Sequence, residues 1–218
     1  MGEYFYRENL PKKDTSVTPD SYFIKSINKK EVKEDILLAS HNLADYLHAE
    51  KIPNVMFLDG SARQTYLGLK EAWKQDYVEE KSPTIYFINP QQLYSEDDFP
   101  YLAEEFEKKY KQIDPEETIL LYDVCLHTGR TTNIIKEFFV YLGFKDVRLA
   151  VTSVGDYVPE DSKKSIDFIC LPKKAKLGCH PFGNPAYVDD NGSLVSSINY
   201  KKRDIGAAEH QKIKDVFK

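Results

Sequence analysis

Between residues 52 and 170, short apolar runs and segments of helical periodicity take turns, and no other feature of the chain restricts its fold as sharply. The runs are VMFLD at 55–59, TIYFI at 84–88, TILLYD at 118–123 and DVRLAVTSV at 146–154. Each is short, rich in β-branched and aromatic residues and bounded by turn formers, the pattern of a strand buried on both faces. Helical patterns precede and separate them. Val32, Ile36, Ala39, Leu43 and Leu47 recur at three- and four-residue spacing from Asn28, which occupies a cap position, through to Glu50. Tyr66, Leu67, Leu69, Lys70 and Trp73 mark a second helix, and Phe99, Leu102, Phe106 and Tyr110 share one face of a third over 98–112. A fourth carries Ile134, Ile135, Phe138, Phe139 and Leu142 and ends at Gly143. Right-handed crossovers assemble such an alternation into a mainly parallel sheet covered by helices, so the expected fold class is a doubly wound α/β core.

That core is expected over residues 29–171, with DFICL at 167–171 as one further strand. Residues 1–28 are polar, carry Pro11 and Pro19, and read as an N-terminal arm in which SYFIKSI at 21–27 suits an edge strand. From residue 172 to 218 the chain turns to glycine, proline and aromatic residues. There Asn191-Gly192 marks a hairpin turn and a short helix is expected from about Ile205.

Composition narrows the function. With 30 basic against 35 acidic residues, the chain lacks the excess positive charge that drives non-specific binding to nucleic acid, so no nucleic-acid partner is expected. No run approaches the roughly 18 apolar residues of a membrane span, and the start lacks an apolar stretch behind basic residues, which leads to a cytoplasmic, membrane-free expectation. Cys125, Cys170 and Cys179 show no paired spacing, so reduced, mostly buried thiols are expected.

Chemistry concentrates after two of the strands. In an open parallel sheet, ligands bind beyond the carboxyl ends of the strands, near the point where strand order reverses. LLYDVCLHTGRT at 120–131 runs an apolar strand into Asp123, His127 and a Thr-Gly-Arg-Thr turn that opens a helix. Gly129 permits close backbone approach, and the amides from Thr128 through Arg130 to Thr131 form an anion-binding concavity, with hydroxyls from Thr128, Thr131 and Thr132 as further donors. Asp123 suits ribose hydroxyls or a metal carried by a substrate. LDGSARQ at 58–64 follows another strand, and in it Asp59, Gly60 and Ser61 bring amides toward an anion while Arg63 offers a fork for phosphate oxygens. Capping alone explains a Thr-Gly turn, but it accounts neither for Asp123 nor for a second anion loop.

The stretch 118–135, and more loosely the order of elements from about 52 to 170, resembles the type I phosphoribosyltransferases. Their signature is an apolar strand, two adjacent acids, two or three mixed positions and Thr-Gly-x-Thr. The resemblance implies a magnesium-dependent displacement at C1 of phosphoribosyl pyrophosphate (PRPP) by a nitrogen acceptor. Residues 128–132 then hold the 5-phosphate, residues 59–63 the pyrophosphate, and Asp123 and His127 assist the nucleophile. Mg2+ enters bound mainly through PRPP, with no direct protein ligand expected. It also implies a hood over the sheet edge, for which the 172–218 segment and the N-terminal arm are candidates, Phe182 and Tyr187 being placed to stack on a base. Small-molecule substrates are the expected partners, and a homodimer is compatible with the family. Two positions depart from the pattern: Val124 stands at the second acid, and His127 stands where purine-specific members carry an acid. Val124 keeps open a rival, a non-catalytic module that senses PRPP or nucleotide. His41 and His48, His180 beside Cys179, and the lysines 173, 174 and 176 are expected to be surface or packing residues.

Overall fold

A computed structural model describes residues 30–58, 62–88, 95–126, 129–155, 158–171, 186–188, 194–196 and 211–218. The elements in chain order are α1 (Lys30–Ala49), β1 (Asn54–Leu58), α2 (Arg63–Asp76), β2 (Thr84–Ile88), a 3-10 turn (Glu96–Asp98), α3 (Phe99–Tyr110) and β3 (Ile119–Leu126). Then come α4 (Arg130–Tyr141), β4 (Val147–Val154), α5 (Glu160–Lys164), β5 (Phe168–Ile169), and the strands β6 (Ala186–Val188) and β7 (Leu194–Ser196). Residues 211–216 are again helical. Five strands form one sheet in the order β2-β1-β3-β4-β5, and every neighbouring pair runs parallel. This is the doubly wound α/β fold expected from the alternation of elements.

Burial on both faces explains why the strands read as continuous apolar runs. All five residues of β1 are buried. Val55 and Phe57 point into one layer with Val32, Ile36, Leu43 and Leu47 of α1 and Leu69 and Trp73 of α2. Met56 and Leu58 point into the other, against Phe99, Leu102 and Phe106 of α3 and Ile135, Phe138 and Phe139 of α4. Full burial of each large side chain contributes about 1.5–3 kcal/mol, so the stripes noted in the sequence are what hold the helices on the sheet. The chain end returns to the first layer, where Ile213 is fully buried and Phe217 packs against the cluster.

The two layers locate the reversal of strand order. The β1–β2 connection passes through α2 on the first face, whereas β3 to β4 passes through α4 on the second. Neighbouring strands β1 and β3 therefore send their following helices to opposite sides, which is the switch point where ligands bind in such sheets.

Three boundaries differ from expectation or refine it. β3 continues to Leu126 instead of ending at Asp123, because Asp123, Cys125 and Leu126 keep pairing with Val151, Ser153 and Val154 of the eight-residue β4. The hairpin exists, with Val188 opposite Leu194, so five residues separate the paired ends; its turn, Asn191-Gly192, lies outside the described residues. The final helix is seen at 211–216, while its expected start near Ile205, the Asn28 cap and the possible strand at 21–27 also lie outside the described residues. Among the described residues, no helix is long and apolar enough to cross a membrane.

Candidate functional site

Two helices begin at the switch point, and among the described residues neither start is capped by a side chain. The first N–H groups of any helix lack intrahelical acceptors and are normally satisfied by a capping side chain or a ligand. α2 starts behind Ala62 and α4 behind Gly129; neither N-cap residue provides a side-chain cap, and neither helix has an acidic residue in its first turn. The contrast within the same molecule is clear. α5 carries Glu160 and Asp161 in its first turn, and the 3-10 turn is closed by reciprocal bonds between Ser95 and Asp98. α3 likewise lacks a side-chain cap and a first-turn acid, but it follows directly on Glu96, Asp97 and Asp98 of the 3-10 turn. Among the described residues, the two helix starts beside the reversal of strand order have neither a cap nor an adjacent acid, the condition that favours an anion.

The turn before α4 is fixed by a glycine for two separate reasons. Gly129 has φ +77° and ψ −7°, a left-handed conformation that side chains other than glycine adopt at a cost. A Cβ on Gly129 would also stand 2.6 Å from both Cβ and Oγ of Ser162, a buried residue of α5. This contact at the turn therefore comes from Ser162, 33 positions along the chain, and no local pattern in the sequence signals it.

The threonines divide. Thr131 is exposed at the helix start, as is Arg130, which borders an open groove of about 490 Å3 with Glu96, Asn133 and Glu137. Thr132 is buried, and its hydroxyl donates to the Gly129 carbonyl at 2.9 Å. The Asn133 amide donates to the same oxygen, also at 2.9 Å. The expectation that the Thr132 hydroxyl faces a phosphate is corrected: in the structure it braces the turn.

Asp123 and Val124 point to opposite layers. Val124 is 2% exposed and packs with Tyr122 in the α1/α2 layer. Alternation along β3 places Asp123 on the face of Leu121, toward α3 and α4. Asp123 is half-buried inside the strand, three residues before its end, and its Oδ1 accepts the Val124 amide at 2.7 Å. The strand-end position expected for this carboxylate is thereby corrected. Val124 also has a physical explanation, since a carboxylate there would enter an apolar layer at a cost of several kcal/mol. Beneath it the Tyr122 hydroxyl bonds to that of Thr152, and burial keeps both Tyr122 and Cys170 protonated, the Cys170 thiol being pushed up to about 12.

Asp59, Gly60, Ser61, His127, Thr128 and Phe182 lie outside the described residues. Arg63 opens α2 as its first residue, and Tyr187 lies in β6 opposite Val195; their side chains are likewise outside the described set. Two further residues at this end went unremarked in the sequence: Ser162, and Ser153 near the end of β4, 8% exposed and with no hydrogen-bond partner for its hydroxyl among the described residues. No group of three or more His, Cys, Asp or Glu side chains able to hold a metal occurs among the described residues. Comparison of the sequence with protein-family models and with curated proteins gives no match.

Proposed function

We propose that the chain is a phosphoribosyltransferase that moves the phosphoribosyl group of magnesium-bound PRPP to a nucleobase or related nitrogen acceptor, releasing pyrophosphate. The observation that carries this reading is the pair of uncapped, acid-free helix starts on adjacent strands at the reversal of strand order. A ligand with a phosphate at one end and a pyrophosphate at the other suits two such starts, and PRPP has that form. In this reading the α4 start takes the 5-phosphate through the amides of Arg130, Thr131 and Thr132, and the α2 start takes the pyrophosphate with Arg63. Magnesium enters bound to PRPP. The bond from C1 to pyrophosphate oxygen breaks, a bond from C1 to the acceptor nitrogen forms, and the nitrogen's proton passes to His127 or Asp123. Holding both phosphates fixes C1 against the acceptor, and the helix ends meet the charge that develops on the leaving group. Incubation with PRPP, magnesium and a panel of nitrogen bases tests this. Nucleotide and pyrophosphate in equal amounts are expected; neither product with any base overturns the catalytic reading.

One observation favours a second reading. Val124 lies in the apolar layer, so one of the two carboxylates expected to hold the ribose hydroxyls is replaced by packing. A module that binds PRPP without turnover fits that loss, and saturable binding of PRPP by calorimetry without pyrophosphate release would select it.

A further inference from the structure

A second cleft lies away from the switch point, and its walls are built differently. It encloses about 440 Å3 between α2 and the edge strand β2, within the range of small-molecule sites. Tyr66, Leu69, Lys70, Trp73 and Lys74 line it from α2, recurring at helical spacing along one face, and Tyr77 joins them from the residue just past the helix end. Ile85 and Pro83 close the strand side. The cleft runs along α2 from Tyr66, one turn past Arg63, and its centre at Trp73 is ten residues from the helix start, about 15 Å along the axis, which sets that centre apart from the candidate transferase site.

Two of the aromatic side chains have their polar atoms engaged by neighbouring residues. The Trp73 indole N–H donates to the Glu80 carbonyl at 3.3 Å. The Tyr77 hydroxyl donates to Asp45 of α1 at 2.7 Å, a bond to a carboxylate that pushes its pKa up to about 12. One face of Tyr77 is covered by His48, whose ring stacks on it with centroids 4.1 Å apart. These ties hold the rings in place and leave the cleft an aromatic, pre-oriented wall.

Charge completes the description. Glu80 is paired with His48 at 2.8 Å and Lys74 with Glu71 at 2.9 Å. Lys70 lines the same cleft, is exposed, and has no ion pair or hydrogen bond among the described residues. The cleft thus joins aromatic walls, with the Trp73 and Tyr77 rings tilted 47° to each other, to the paired Glu80 and to one cation, Lys70, that is unpaired among the described residues.

We propose that this cleft is a second binding site, for a planar aromatic ring that bears an anionic group: the ring stacks on the Tyr66–Trp73–Tyr77 wall and the anion pairs with Lys70. A nucleoside monophosphate and a small aromatic carboxylate share that chemistry. Trp73 is the only tryptophan in the 218 residues, so its emission reports on this cleft and on no other site.

The full chain is titrated with AMP and with nicotinate, and in parallel with their uncharged counterparts adenosine and nicotinamide, following Trp73 emission. A saturable change with at least one anionic probe, weaker for its neutral counterpart, is expected, and which probe binds tighter identifies the source of the ring. Lys70→Glu, an exposed change that spares folding, is expected to weaken the anionic probe about fivefold and leave the neutral one unaltered. Unchanged emission with both anionic probes into the millimolar range overturns the site. Equal affinity for charged and neutral forms, undisturbed by Lys70→Glu, overturns the anion assignment. An emission shift that depends on protein concentration without ligand, matched by dimer in sedimentation, assigns the cleft to a protein contact and overturns the ligand.

Discussion

Replacing Gly129 by alanine separates two costs that the structure superimposes at one atom. The backbone at φ +77° disfavours any residue with a Cβ by about 1–2 kcal/mol. The added methyl would also stand 2.6 Å from Cβ and Oγ of Ser162, roughly an ångström inside ordinary contact, and such overpacking typically costs about 1–3 kcal/mol. Together these predict a loss of about 2–5 kcal/mol. At about 2–4 °C per kcal/mol for a chain of this size, the thermal midpoint falls by roughly 4–20 °C. The steric part is removable. Ser162→Gly deletes both contacting atoms, so in the Gly129→Ala background it recovers about 1–3 kcal/mol beyond its own effect on wild type, whereas Ser162→Ala keeps the nearer carbon and recovers less. Urea denaturation of the four proteins of the cycle measures this coupling. A coupling of zero, or a Gly129→Ala variant as stable as wild type, would refute the argument that α5 abuts the turn.

Three further outcomes follow from the buried groups and the ion pairs. Val124→Asp should destabilise the fold by about 3–5 kcal/mol without adding PRPP affinity; burial raises the folded-state pKa of the new carboxyl, so by denaturation the loss is larger at neutral pH than at acidic pH. Cys170, buried and raised to about 12, should resist alkylation until the chain unfolds, as read by mass spectrometry of the modified cysteine. Its stabilising contribution is complete below the unfolded thiol value of about 8.5 and is lost progressively as pH rises toward 12. Asp146 is lowered by its bond to Arg148, so its contribution is present above the ordinary aspartate range and lost as pH falls below it; Arg148→Met should therefore flatten the acid limb of the stability profile between neutral pH and pH 3.

The periodic parts of this fold were legible because one physical demand, burial of apolar surface, writes itself at fixed spacing. Phe99, Leu102, Phe106 and Tyr110 read as one helix face and are buried together, and TIYFI at 84–88 coincides with β2. Asp123 misled the boundary of β3. Acidic residues are poor strand formers, yet pairing with β4 carries the ladder through it to Leu126. Strand order was not legible, since nothing local to β2 states that it lies outside β1. The site was partly legible for the same reason. Gly129 announces a special backbone locally, whereas Ser162 meets it only through the β4–α5 connection. Val124 looked like a missing ligand in the sequence and is a core residue in the fold. The bare starts of α2 and α4 became meaningful only once adjacent strands placed them at the same edge.

The central claim is that those two helix starts hold the two phosphate ends of one ligand. Amide-resolved NMR titration with magnesium and PRPP tests it most directly. Saturable shifts of the backbone amides of residues 62–65 and 130–132, with one common dissociation constant, are predicted; shifts confined to one start, or absent from both at saturating ligand, would contradict it.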